Sequence, residues 1–266
     1  MMINRGMAAC VLMTLTAGAG CAGNDATDAA EVSQGPASPA ISDLYAGSPY
    51  LGELRNSLVY GEIWERPQLS KRDRSLITVA VLQALVRDEL ELHVPRGLDN
   101  GLTPEEISEI ILHVTFYAGW PTGVQASLTA AEVFAERGLS LGPLARAPAA
   151  ADRPDTPATA SGAYAAVPRL GELRNSLLYG DIWERPQLSK RDRSLITVAV
   201  TQALYATSEL RTHIGRALDE NGVTPQELSE VILHVTFYVG WPKAVNAGRL
   251  ASEAFEARGV SFADLE

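Results

Sequence analysis

All four histidines of the chain fall at matching places in two similar stretches, and each has a glutamate four residues before it: Glu89/His93, Glu109/His113, Glu209/His213 and Glu230/His234. On a helix this interval stacks the two side chains on one face, where a carboxylate can fix the tautomer of the imidazole and raise its basicity. A histidine held in this way is suited to give or take a proton near neutral pH. The competing reading is structural, because such pairs are common on solvated helices and contribute little there. His113 and His234 lie on helices whose other side is core, so they read as buried, hydrogen-bonded residues, and Glu109 reads as a surface charge. The first pair of each copy, Glu89/His93 and Glu209/His213, is the better candidate for chemistry. It keeps its spacing in a stretch where the copies otherwise diverge.

Arg72 and Arg74, with Arg191 and Arg193, sit at the start of an apolar helix in each copy. Arginine grips a small carboxylate in two-pronged fashion. A salt bridge to Asp73, Asp192 or another acid is the alternative. A metal centre is disfavoured, since dimetal helical bundles use Glu-X-X-His with further inward glutamates, and that spacing is not present. Phosphate-binding glycine loops and a Gly-X-Ser-X-Gly nucleophile motif are also missing from the sequence. The two cysteines, Cys10 and Cys21, both precede the repeated stretches. Thiol redox chemistry, disulfides and thiolate metal sites are therefore not expected in the folded part.

The elements that must position these residues are helices. Gly52 to Leu85 and Gly171 to Leu204 are identical except at Val59/Leu178, Glu62/Asp181 and Leu82/Thr201, which makes the chain a tandem duplication. In each copy Ser70-Lys71-Arg72-Asp73 or its counterpart reads as a helix start, followed by a largely apolar run. Thr103-Pro104-Glu105-Glu106 and Thr224-Pro225-Gln226-Glu227 read as capped starts with Pro at the first helical position. The first of these helices should stop at Gly119, before Pro121. No strand pattern appears. The fold class expected is all-α, with two tandem bundles of about five to seven helices each, judged from the capped apolar segments.

The 266 residues divide as 1–20 signal peptide, 21–43 tether, 44–140 first domain, 141–166 Ala/Pro-rich linker and 167–266 second domain. Asn4 and Arg5 precede an apolar run from Met7 to Ala17 and then Gly18-Ala19-Gly20-Cys21, the outline of an export signal with a lipobox-like end. Cys21 is the candidate lipidation site. The expected location is therefore the cell envelope, with membrane association only through a lipid. A net charge of −10 and 46% hydrophobic content fit a core-forming chain and argue against a nucleic-acid binder.

The ordered series Pro67-Gln68-Leu69-Ser70-Lys71-Arg72-Asp73-Arg74, Glu89 to His93, Asn100-Gly101-Leu102-Thr103-Pro104-Glu105-Glu106 and Tyr117-Ala118-Gly119-Trp120-Pro121 resembles γ-carboxymuconolactone decarboxylases, of the alkylhydroperoxidase D-like superfamily. The second copy repeats it through Glu209, His213, Gly222, Thr224, His234 and Pro242. The resemblance implies cofactor-free decarboxylation of a small anionic lactone. It makes His93 or His213 the acid, Glu89 or Glu209 its orienting partner, and Arg74 or Arg193 the substrate anchor. His113 and His234 stand where the decarboxylase commonly has glutamine, which makes them candidate substrate-binding positions for an altered substrate. Peroxidase chemistry is not implied, because the redox cysteines of that branch are replaced. Family assembly implies a trimer of tandem chains. Pro95, two residues after His93, should disturb its helix. The alternative to an enzyme is a lipid-tethered binding or assembly module without turnover.

Overall fold

The computed structural model describes residues 44–147 and 164–265, and the unit that carries both copies is Gly47–Glu266. The readings of a signal segment, of Cys21 and of the tether lie outside the described residues. The first copy begins with a short helix α1 (Pro49–Leu54) that widens into a π-helical turn (Arg55–Tyr60) and a 3-10 turn (Ile63–Glu65). Four helices follow: α2 (Lys71–Ala84), α3 (Leu90–Asp99), α4 (Pro104–Ala118) and α5 (Trp120–Glu136). The second copy repeats this with α6 (Pro168–Leu173), a π turn (Arg174–Leu178), a 3-10 turn (Ile182–Glu184), α7 (Lys190–Ala203), α8 (Thr207–Asp219), α9 (Pro225–Val239) and α10 (Trp241–Glu256). The described residues contain no strand, so the chain is all-α.

The starts and stops follow from local chemistry. The Ser70 hydroxyl accepts from the Asp73 amide at 3.0 Å, and Ser189 does the same for Asp192. Thr103 with Glu106 and Thr224 with Glu227 form complete capping boxes, with Pro104 and Pro225 at the first helical position. Such a cap is worth about 1 kcal/mol. Gly119 and Gly240 take φ values of 97° and 88°, which lets α4 and α9 stop abruptly before α5 and α10.

From Asp73 to Ala84 every residue of α2 is buried, and α7 is buried in the same way from Asp192 to Ala203. A helix that is apolar on all sides needs neighbours on all sides. Neither copy supplies them alone. Helix α2 lies against α7, and each of the two also packs on the other copy's long helix, α2 on α9 and α7 on α4. The apolar residues of both copies therefore merge into one core.

Charges at the centre of this pairing are reciprocal. Arg72 reaches Asp192 at 3.0 Å and Arg191 reaches Asp73 at 2.9 Å, while Arg72 also bonds Glu106, and Arg191 bonds Glu227 at 2.5 Å. Deeper in, the fully buried Arg74 binds Glu230 at 2.8 Å and Arg193 binds Glu109 at 3.0 Å. Glu109, expected as a surface charge, is instead completely enclosed, because its helix face meets the other copy and not water. Pro95 lies inside α3 without ending it, since Leu90–Asp99 runs through it. A proline removes only its own amide hydrogen bond, here to the carbonyl of Glu91, whose residue is exposed to water.

Breaking either deep ion pair should be costly, because it leaves an uncompensated buried charge. Glu230→Ala is expected to lower stability by about 3–5 kcal/mol, whereas Glu91→Ala on the surface should change it by less than about 0.5 kcal/mol. Urea unfolding of both variants checks this.

Candidate active site

The exchange of long helices builds two equivalent clusters, each from both copies. In the first, the π turn provides Arg55 and Tyr60, the 3-10 turn Trp64, and α3 His93 and Arg96, while α9 of the second copy provides Glu230, His234 and Tyr238. π-helical turns are rare and recur at functional sites. Here the turn places Tyr60 against Trp64, with ring centroids 5.8 Å apart.

The inner layer is densely bonded, with Arg74 Nε its one guanidinium nitrogen left without a partner. Arg74 donates to the Arg66 carbonyl at 2.7 Å and to His234 Nδ1 at 3.3 Å, besides its pair with Glu230. Because arginine only donates, His234 Nδ1 accepts, and the ring hydrogen sits on Nε2. That nitrogen donates to Thr78 Oγ1 at 2.9 Å, and the threonine hydroxyl passes the chain on to the Arg74 carbonyl at 2.7 Å. Arg66 completes the Glu230 carboxylate at 2.9 Å. Burial and the neighbouring Arg74 hold the His234 ring far below the usual histidine range, so it is neutral. In the other cluster His113, Arg193, Thr197, Arg185 and Glu109 form the same network. His113 and His234 are thus buried hydrogen-bonded residues with both nitrogens engaged. Arg74 and Arg193 are spent on internal carboxylates, which removes them as substrate anchors.

The outer layer is not bonded in this way. His93 lies between Trp64, stacked at 6.2 Å, and the edge of Tyr238 at 5.7 Å. Trp64 Nε1 donates to the Tyr238 hydroxyl at 3.1 Å and so closes this aromatic wall. The Nδ1 atom of His93 is buried and has no hydrogen-bond partner. Burial, with the Arg96 and Arg55 guanidiniums nearby, pushes the imidazole down to about 4. Arg96 sits 4.5 Å from the Tyr60 ring centre and 5.8 Å from that of Trp64, and Arg55 lies 4.6 Å from Tyr60. A neutral ring with a free nitrogen, flanked by two cations and an aromatic wall, is fitted to an anion that brings its own charge.

The second cluster mirrors this with His213 stacked on Trp183 at 6.0 Å and edge-on to Tyr117 at 5.5 Å, flanked by Arg174, Tyr179 and Arg216. His213 is likewise held at about 4 by burial and Arg216, with Glu209 pulling weakly the other way.

The glutamates expected as orienting partners stand elsewhere. Helix α3 begins at Leu90, so Glu89 is its N-cap; the Glu89 carbonyl accepts from the His93 amide at 3.1 Å, while its carboxylate is exposed and does not bond the imidazole. Glu209 is also exposed and accepts from Ser208 at 2.7 Å. Tyr60, Trp64 and Arg55, with their counterparts, were not singled out in the sequence because turn residues carry no periodic signal, whereas Arg96 and Arg216 stand three residues after His93 and His213 on the same helix, an interval that could have pointed to them. Among the described residues no group of histidines, cysteines and carboxylates could hold a metal ion. A surface recess lined by Leu98, Leu102, Pro104, Arg137 and Leu139 includes none of the site's side chains, and its Arg137 is paired with Asp99.

The depressed histidines carry a pH signature. An unfolded chain would bind these protons near the ordinary value of 6.5, while the folded rings resist to about 4, so stability should fall as pH drops through that window. The expected decline is about 1–2 kcal/mol per ring between pH 7 and pH 5. A His93→Asn/His213→Asn variant should show a shallower decline in urea midpoints over the same interval.

Comparison with known proteins agrees with this architecture. The sequence profile of the Carboxymuconolactone decarboxylase family matches residues 49–132 and again 168–253. One relative is the 4-carboxymuconolactone decarboxylase of Acinetobacter baylyi, 46% identical over 82 residues, which is 30% of this chain and 61% of that protein. Another is the nitrosuccinic acid decarboxylase of Metarhizium robertsii, 35% identical over 77 residues, 29% of this chain and 54% of that protein. The aligned part thus spans between half and two thirds of each relative. Two profile matches over two copies of the same all-helical module make this chain a tandem-duplicated member of the Carboxymuconolactone decarboxylase family.

Proposed function

We propose that the protein is a cofactor-free decarboxylase of a small carboxylated acid, with one site at His93 and one at His213. The observation that carries this reading is the unpartnered, buried Nδ1 of His93 beside Arg96 and Arg55. Both relatives are named as decarboxylases, of 4-carboxymuconolactone and of nitrosuccinic acid, so loss of carbon dioxide from a small acid is the chemistry common to the two names.

The residues fit such a reaction in three ways. Arg96 and Arg55 would pair with the carboxylates of the bound acid, and the dry aromatic wall strengthens those contacts. Burial and the two cations keep His93 neutral; an incoming negative charge beside the ring offsets both, so the ring takes up a proton as the anion enters. When the bond between carbon and the carboxylate breaks, carbon dioxide leaves, the electron pair stays on carbon, and the imidazolium returns its proton there. His93 ends neutral, as it began. The inner network of Arg74, Glu230, His234 and Thr78 positions the wall and stays out of the proton transfer.

We also propose export with lipidation at Cys21, resting on the leader sequence. Assembly of three tandem chains is proposed through the exposed faces of α5 and α10. Trp120, Val124 and Leu128 on α5 and Trp241 and Val245 on α10 are largely exposed, which supports a second copy of this chain as the occupant. Among the described residues no helix is long and apolar enough to cross a membrane.

The test is carbon dioxide release from 4-carboxymuconolactone and a panel of related mono- and dicarboxylic acids. His93→Asn/His213→Asn should lower the rate by ~100-fold or more, and Arg96→Met/Arg216→Met should raise KM by about tenfold or more. Glu89→Gln should leave both unchanged. Binding of the acids with no release of carbon dioxide would favour the non-catalytic module.

A further inference from the structure

The two clusters differ in the ion pairing of one arginine, and this difference comes from an inserted residue. After α3 the chain passes directly through Asn100, whose side chain donates to Ser75 at 2.9 Å. After α8 the residue making the same bond, to Ser194 at 2.9 Å, is Asn221. Glu220, immediately before it, is therefore the residue that the first copy lacks. Its carboxylate accepts from Arg216 Nε at 3.1 Å. Arg96, the counterpart of Arg216, bonds the Tyr60 hydroxyl and forms no ion pair among the described residues; it acts on Asp99 only at longer range, and that carboxylate is held by Arg137.

A second observation points the same way. Glu209 acts electrostatically on His213, whereas only cations act on His93. Counting the two flanking arginines and any carboxylate ion-paired to them, the first site presents Arg55 and Arg96, a net charge of about two. The second presents Arg174 and Arg216 offset by Glu220, a net charge of about one. An anion that would use Arg216 must compete with a carboxylate already in place.

We propose that the two sites take substrates of different charge: the His93 site prefers a dicarboxylate, and Glu220 tunes the His213 site towards a monocarboxylate. This rests on the reading of both clusters as carboxylate sites. An exposed ion pair of this kind is worth up to about 1 kcal/mol, which corresponds to roughly a fivefold change in affinity.

The experiment titrates the whole protein with succinate and, separately, with butyrate at pH 7, following the ring resonances of His93 and His213 by NMR, each assigned with its His→Asn variant. With succinate, the His93 midpoint should come at a concentration about fivefold lower than that of His213. With butyrate the two midpoints should lie close together. In Glu220→Gln the His213 midpoint for succinate should move to that of His93, and the His93 midpoint should stay in place. Equal succinate midpoints in the unaltered protein, or a His213 midpoint indifferent to Glu220→Gln, would overturn the proposal while leaving both carboxylate sites standing. Rings that respond to neither acid would overturn the underlying reading as well. The substituted side chain is largely solvent-exposed, so an unchanged thermal unfolding midpoint verifies that the variant is folded.

Discussion

Two guanidinium–carboxylate pairs, sealed between the copies, hold everything else in place. Taking such charges out of water costs several kcal/mol per ion, which their attraction repays only when the remaining hydrogen bonds are also made. Here they nearly all are. Glu230 is met by both Arg74 and Arg66, and Arg74 also serves the Arg66 carbonyl and His234. This requirement sets the distance and rotation of α9 on α2. The aromatic wall of Trp64 and Tyr238 can close only in that register. A small error in helix packing would strand a charge, so the arrangement selects one pairing of the copies out of the many that apolar helices alone would tolerate.

The same exchange of helices gives each cluster an inner shell in which the histidine and the carboxylate are fully engaged, with only the arginine Nε left over, and an outer one held mainly by ring contacts. Histidines appear in both shells with opposite fates. His234 is locked in one tautomer by donors and acceptors on both sides. His93, only an aromatic contact away, has been left with a nitrogen that nothing in the protein reaches. Protein interiors seldom leave a polar atom in that condition without a use for it. Burial first, and then the Arg96 and Arg55 cations, keep the ring uncharged.

Local features were legible in the sequence. The duplication, the Ser70 and Thr103 caps, the stop at Gly119 and the all-round burial of α2 each rest on one stretch of chain and its own chemistry. What was not legible depended on the other copy. Glu109 looked like a surface charge because the helix was judged against its own module. Yet Glu109, His113 and Tyr117 recur every four residues, a polar stripe beside an apolar one, which is the mark of a helix face that meets a polar partner. The spacing of Glu89 and His93 was real, and the Glu89 carbonyl even takes the His93 amide, but the helix's first turn lies at the surface: the imidazole points into the core while Glu89, like Glu209 in the second copy, stays exposed. Arg55 comes from a widened turn, where spacing gives no direction.

Each site takes its outer histidine, tryptophan and arginines from one copy and its tyrosine, with the inner glutamate and histidine, from the other, and this alters what a duplication ordinarily means. When a module is copied whole, one copy can usually decay while its twin keeps working. Here a lesion in α4 would damage the cluster around His213, and a lesion in the Trp64 turn the cluster around His93, although both lie in the first copy. Neither half is a spare, because each cluster needs residues of both copies.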